Sequence, residues 1–170
     1  MTTSDTHTDR QLVSITDYNR NVTITTQELS IGVLMFVSYR HMENVALKAV
    51  ADAGFDDISL AQARVFQRIA PEGSRLTSLA EQAQVTKQTA GVLVDQLEAA
   101  GYVTRVPDPS DGRARLIQIT SRGFDGVAIA GAAVATVESE WTRHLGTRRM
   151  NALRETLTEL REITDPYQHP

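Results

Sequence analysis

The sequence predicts a mainly α chain with a small β-hairpin. Three observations lead there. Apolar residues recur every three or four positions near both ends of the 170-residue chain. Between those stripes lie two short helical runs joined by a tight link, the second with Thr86 as its cap residue. The stretch Val106–Thr120, VPDPSDGRARLIQIT, then sets a proline- and aspartate-rich turn ahead of a strand-like run.

Residues 1–27 are rich in Thr, Ser, Asp and Asn without a sustained period, which predicts an N-terminal tail. Val13, Ile15, Val22 and Ile24 give that tail a means of docking on the body or on a second chain. From Leu29 to about Ala53 the pattern is helical: Ile31, Leu34, Met35, Met42, Val45 and Ala49 form one stripe. Val33, Phe36, Leu47 and Val50 occupy other faces, so this helix is expected to be covered on more than one side, in part by a second chain. Gly54 ends it.

Ser59 is placed to cap a helix from Leu60 to about Ala70, broken by Pro71, Glu72 and Gly73. Thr77–Gln84 predicts another short helix, with Leu79, Ala80 and Ala83 inward. Thr86 caps the next, Lys87 to about Ala100, which Gly101 stops. Tyr102–Val106 and Ala114–Ile119 read as strands joined by a turn over Pro107–Gly112. Thr120 caps a long helix to Leu145, with a stripe of Val127, Ala130, Val134, Val137, Trp141 and Leu145 close to a heptad seam. Thr147 is expected to cap a last helix bearing Met150, Leu153, Leu157 and Leu160, closed by Pro166. Two short helices followed by a hairpin make a winged helix–turn–helix arrangement. The expected organisation is a tail (1–27), an N-terminal dimerisation helix (28–58), a winged helix–turn–helix domain (59–120) and C-terminal dimerisation helices (121–165).

Composition narrows the function. Hydrophobic residues make up 41%, enough for a core, and no apolar run approaches the roughly 20 residues that span a bilayer. A cytoplasmic protein with no membrane partner is expected. The chain has no cysteine, which excludes disulfides, thiol nucleophiles and thiolate metal sites. Its formal net charge of −4 argues against sequence-blind polybasic binding of nucleic acid. His7, His41, His144 and His169 are scattered, without metal-ligand spacing. There is no Gly-rich phosphate loop, serine elbow or catalytic carboxylate pair. Neither an enzyme nor a cofactor is expected.

On the second short helix, Ala90, Leu93, Val94, Leu97 and Ala100 share one face and belong in the core. Lys87, Gln88, Gly91 and Asp95 share the other, flanked by Thr86, Thr89 and Val92. An exposed helix start carrying a cation, an amide, hydroxyls and a methyl-bearing side chain suits a major groove: Gln pairs with adenine, Lys donates to guanine, and Val or Thr methyls touch thymine. In the hairpin, Pro107 and Pro109 stiffen the loop, and Asp108, Ser110 and Asp111 favour turn geometry. Gly112 supplies whatever conformation the tip demands. Arg113 is expected at the tip, aimed at a narrow minor groove, with Asp111 orienting its guanidinium and Arg115 near the phosphates.

The segment Leu76–Gly123, LTSLAEQAQVTKQTAGVLVDQLEAAGYVTRVPDPSDGRARLIQITSRG, resembles the MarR family of bacterial transcription regulators. The resemblance rests on Leu97, Glu98, Gly101, Tyr102, Val103 and Arg105 after the recognition helix. In the wing it rests on Asp108, Pro109, Asp111, Arg113, Thr120 and Gly123. It implies a homodimer with interlocked terminal helices and two winged lobes on one pseudo-palindromic double-stranded DNA operator. It also implies regulation, often as a repressor released by a small aromatic or anionic effector. The implied DNA-contact set, joined to the reading above, is Thr77, Thr86, Lys87, Gln88, Thr89, Val92, Asp111, Arg113 and Arg115. Gly91 and Val92 depart from the Thr and basic residue frequent there, which bears on operator sequence and affinity. The first helix borders the effector pocket in such proteins, which makes Tyr39, His41 and Met42 candidate ligand residues, although a His there is more often a packed core residue. Trp141 is expected in the dimer core. The alternative is a winged-helix protein-interaction module that does not touch DNA; salt-dependent binding to specific DNA separates the two.

Overall fold

The structure, a computed structural model, describes residues 29–167. The expected tail over 1–27, and with it His7, lies outside the described residues, as does His169. The chain divides into two units, residues 1–38 and 39–170. In the first, the described residues open helix α1 (Ile31–Asp52), where Ile31, Leu34, Met35, Phe36 and Val37 are exposed.

The second unit begins inside α1 and holds every other element. α1 ends where expected, at Gly54, whose φ of +92° few other residues adopt. Ser59 opens helix α2 (Leu60–Phe66) through a reciprocal capping box: Gln62 N–H donates to Ser59 Oγ at 3.3 Å, and Ser59 N–H donates to Gln62 Oε1 at 2.6 Å. α2 stops four residues before the predicted Ala70. Arg68 and Ile69 N–H turn back to Val65 and Phe66 carbonyls, and Ala70 N–H goes to Ser74 Oγ at 2.9 Å. Pro71 reinforces this by disfavouring a helical Ala70.

A two-residue strand β1 (Ser74–Arg75) follows, which the sequence reading did not anticipate. Two residues carry no period to read; only their pairing with a distant strand makes them β. Helix α3 (Leu76–Gln82) and helix α4 (Lys87–Ala99) form the helix–turn–helix. Their link contains Gln84 at φ 56°, an unusual value for a non-glycine residue, held as its Nε2 donates to Glu81 O at 3.0 Å. Strands β2 (Val103–Asp108) and β3 (Asp111–Ile119) complete an antiparallel sheet in the order β1-β3-β2.

The hairpin is tighter than predicted. Asp108 pairs with Asp111, so only Pro109 and Ser110 turn the chain. Pro107 lies within β2 opposite Arg115, at a register shift, which an edge strand tolerates because that residue's missing N–H costs no ladder bond. Gly112 is not among the glycines with positive φ, so the tip does not require its freedom.

Of the residues expected inward, Leu79, Ala80, Ala90, Val94 and Leu97 are buried, while Ala83, Leu93 and Ala100 are only partly so. Leu79, Val94 and Leu97 form the core of this unit with Val65, Phe66, Ile69, Tyr102, Val103 and Ile117, which the sequence reading does not assign to it. It therefore joins α2, α3, α4, β2 and β3 around the inner face of α4. Helix α5 (Ser121–Leu145) starts at the Thr120 cap, where Gly123 N–H donates to Thr120 Oγ1 at 3.2 Å. Gly123 seats α5 on the lobe: an added Cβ would lie 2.5 Å from Tyr102 O and 2.6 Å from Ile119 Cγ2. Helix α6 (Thr147–Thr164) begins after Gly146, itself at φ 85°; Thr147 is its first residue and not the predicted cap. Met150 is buried, whereas Leu153, Leu157, Leu160 and Ile163 on α6 are exposed. No described helix is long and apolar enough to cross a membrane.

Candidate nucleic-acid interface

α4 is anchored by one face and free on the other. Ala90, Val94 and Leu97 have no exposed surface, while Thr86, Lys87, Gln88 and Thr89 are exposed and Val92 is 52% exposed. The alternation follows from the 3.6-residue turn: positions 90, 94 and 97 stack inward, which turns 87, 88 and 92 outward. Thr86 spends its hydroxyl on the helix, accepting from Thr89 N–H at 3.0 Å and sharing a hydrogen with Thr89 Oγ1 at 2.8 Å. Lys87 and Gln88 carry no side-chain hydrogen bond among the described residues, so their donors stay available. Gly91 is not demanded by packing, since a Cβ there would make only ordinary contact with Leu76 at 3.8 Å. Thr77, at the start of α3, is exposed.

Arg105 on β2 ties the hairpin to this helix. Its backbone N–H donates to Glu98 Oε1 at 3.0 Å, its guanidinium bonds Glu98, and Nη2 reaches Asp95 Oδ1 at 2.6 Å. Asp95, expected on the outer face with Lys87, is therefore engaged with the wing.

Arg113 and Arg115 are exposed on β3, as is Asp111. Arg113 sits in the strand, two residues beyond the closing pair of the turn, and not at the tip. The expected guanidinium contact with Asp111 is absent among the described residues. Asp111 instead accepts the backbone N–H of Arg113 at 3.1 Å, and its other oxygen lies 3.8 Å from Arg75. A carboxylate two residues upstream is well placed for the backbone N–H, and the cation nearby belongs to β1. The turn is organised by Asp108, whose carboxylate is nearly fully buried. It accepts Ser110 N–H at 2.8 Å, Ser110 Oγ at 2.7 Å and Arg75 Nε at 2.7 Å. The Ser110 hydroxyl, then its N–H, then Arg75 hold this carboxyl well below the usual carboxylate range, at about 2.

The start of α5 is clamped to the end of α4. Arg122 makes two 2.9 Å bonds to the Asp57 carboxylate, donates to Ala100 O at 2.9 Å, and lies over the Tyr102 ring at 4.6 Å. The Tyr102 hydroxyl donates to Asp57, and that bond, the largest cause, holds the Asp57 carboxyl below its ordinary value. Arg75, Arg105 and Arg122 were not legible as structural residues, because their partners lie 7 to 65 positions away.

The candidate ligand residues do not converge. Tyr39 donates to Glu43 Oε1 at 3.3 Å, and buried Glu43 takes a two-point ion pair from Arg64 at 2.8 Å each. The Arg64 bonds, the largest cause, hold Glu43 below its ordinary carboxyl value. Met42 lines a separate groove of about 290 Å³ with Trp141, Met150, Leu153 and Leu157; neither Tyr39 nor His41 lines it. His41 is exposed in this chain, so it is not the packed core residue favoured from sequence; the helix turn that buries Glu43 directs it elsewhere.

Comparison with known proteins gives a consistent set. The MarR family model matches residues 56–114. No curated protein sequence matches the chain. Among solved structures, the transcriptional regulator Tm0710 from Thermotoga maritima is 28% identical, with a TM-score of 0.57, covering 78% of this chain and 91% of that one. The transcriptional repressor CouR bound to a 23-mer DNA duplex is 26% identical, with a TM-score of 0.59, covering 79% and 93%. CouR from Rhodococcus jostii RHA1 bound to p-coumaroyl-CoA is 25% identical, with a TM-score of 0.61, covering 83% and 96%. The match begins just before the capping box of α2 and runs into β3, the same stretch that builds the helix–turn–helix and its hairpin. Residues 56–114 thus match the MarR family model, and the chain shares its winged helix–turn–helix fold with transcription regulators of solved structure.

Proposed function

We propose that the chain is a homodimeric, sequence-specific DNA-binding transcription regulator that acts as a repressor in the cytoplasm. The observation that carries this reading is the start of α4. Its inner face is locked at Ala90, Val94 and Leu97, and its outer face presents Lys87 and Gln88 with unspent donors. A helix fixed on one side and chemically unsatisfied on the other fits a major groove. Thr86, Thr89 and Val92 frame the contact, Thr77 and Arg115 meet phosphates, and Arg113 enters the minor groove with Asp111 shaping the backbone beneath it. The relative CouR bound to DNA supports this assignment.

Dimerisation follows from apolar surface. Ile31, Leu34, Met35 and Phe36 on α1, and Leu153, Leu157, Leu160 and Ile163 on α6, are exposed in a single chain. In this reading residues 28–58 and 121–165 form the dimer, and 59–120 form the lobe that reaches a pseudo-palindromic operator. A small aromatic or anionic effector shifts the spacing of the two lobes, as the relative bound to p-coumaroyl-CoA suggests.

The test is binding of the purified chain to DNA from upstream of its own gene, measured across a salt series. A regulator loses affinity with a slope near −0.9 per phosphate neutralised. Arg113→Ala weakens binding by about 1–3 kcal/mol with the dimer intact, and Lys87→Ala weakens it across operators. Binding that is blind to sequence, or unaffected by both substitutions, favours a protein-interaction module instead.

A further inference from the structure

Arg75 is an exposed-edge residue with an unusually long reach. It is the last residue of β1 and the residue before α3, so its backbone belongs to the entrance of the helix–turn–helix. β3 separates β1 from β2 in the sheet. The Arg75 side chain nevertheless crosses to the far strand, where Nε donates to Asp108 Oδ2 at 2.7 Å and Nη2 lies 2.5 Å from the same oxygen. Nη2 also reaches Ser110 Oγ at 3.4 Å and stands 3.8 Å from Asp111 Oδ2. One guanidinium thus touches both sides of the turn. Asp108 Oδ1 closes that turn on Ser110, and Asp111 Oδ1 holds the backbone of Arg113.

We propose that Arg75 is a positioning residue for the wing: it straps the β2–β3 turn to the start of α3 and so fixes where Arg113 stands relative to the helix–turn–helix. This rests on the DNA-binding reading above. A hairpin tip is otherwise held by its own ladder, and that ladder shifts register between Pro107 and Asp108, just before the turn. Without the strap, the wing samples other angles, and the apparent affinity falls by the fraction of time it is correctly placed. The strap is charge-assisted but half exposed, so its loss is expected to weaken operator binding about fivefold.

The experiment compares operator affinity for the full chain and for R75A, R113A and the R75A/R113A double variant, with R75K as the conservative substitution. Dimer mass and thermal unfolding check that each variant is folded. R75A is expected to lose about fivefold in the parent background and less than about twofold once Arg113 is gone. R75K, which keeps the charge but not the fork, is expected to recover only part of the loss. The salt slope of R75A is expected to match the parent; a slope lower by about 0.9 identifies a direct phosphate contact and overturns the proposal. Equal losses in both backgrounds, or no loss with R75A, overturn it as well. If R113A alone binds as the parent does, the wing has no minor-groove arginine and the DNA reading of the wing fails together with the strap.

Discussion

Gly123→Ala tests how rigidly the long helix is joined to the DNA-binding lobe. An ideal Cβ at Gly123 falls 2.5 Å from Tyr102 O, 2.6 Å from Ile119 Cγ2 and 3.2 Å from Phe66 Cζ, against an ordinary contact of 3.4–4 Å. The nearest atom is backbone, so the first turn of α5 or the chain at Tyr102 must move by most of an ångström. That carbonyl also accepts Thr120 N–H at 3.0 Å and Thr120 Oγ1 at 3.1 Å, and a shift loosens both bonds. Overpacking costs about 1–3 kcal/mol and weakened hydrogen bonds about 1 kcal/mol more. Alanine's helix preference returns up to about 1 kcal/mol. The expected net loss is about 2 kcal/mol, read from urea unfolding followed by far-ultraviolet circular dichroism at a fixed chain concentration. Gly126→Ala, in the same helix, meets nothing within 4 Å and serves as the contrast, expected to be neutral or stabilising by up to about 1 kcal/mol. A G123A variant as stable as the parent, or two variants shifted alike, would refute the contact argument.

Three further outcomes are expected. Leu97→Ala removes a fully buried side chain from the core that seats α4, and should cost about 2–5 kcal/mol in chemical unfolding; a loss under about 1 kcal/mol would mean that this core does not hold the recognition helix. Asp108 has a carboxyl held at about 2 against an ordinary 3.8, so it stabilises the fold above the unfolded value and loses that contribution as pH falls between the two. Asp108→Asn should therefore flatten the acid side of the stability profile over that window, and an unchanged profile counts against the Arg75–Asp108–Ser110 arrangement. Glu43→Gln leaves the Arg64 guanidinium without its anion and should lower the melting temperature, with the deficit shrinking as the parent's Glu43 is protonated in acid; a constant deficit across pH would show that charge is not what Glu43 supplies.

The sequence by itself determined the succession of helices, the inner face of α4, the caps at Ser59, Thr86 and Thr120 and the breaks at Gly54 and Gly101. Each is a local property. Side-chain periodicity, a hydroxyl three residues before a backbone N–H, and glycine's freedom at positive φ act within one turn of chain, so they are written in adjacent letters. The candidate Lys87–Gln88 pair was legible for the same reason, as the complement of the buried 90-94-97 set. Only the tertiary structure decided β1, the two-residue turn, the swing of Asp95 toward Arg105 and the partner of Asp111. These depend on groups brought together across the sheet or between helices, and no spacing announces that Arg75 reaches Asp108 or that Arg122 grips Asp57. An arginine's reach of several ångströms lets it choose among many acids, and the packed backbone, not the sequence neighbourhood, makes that choice.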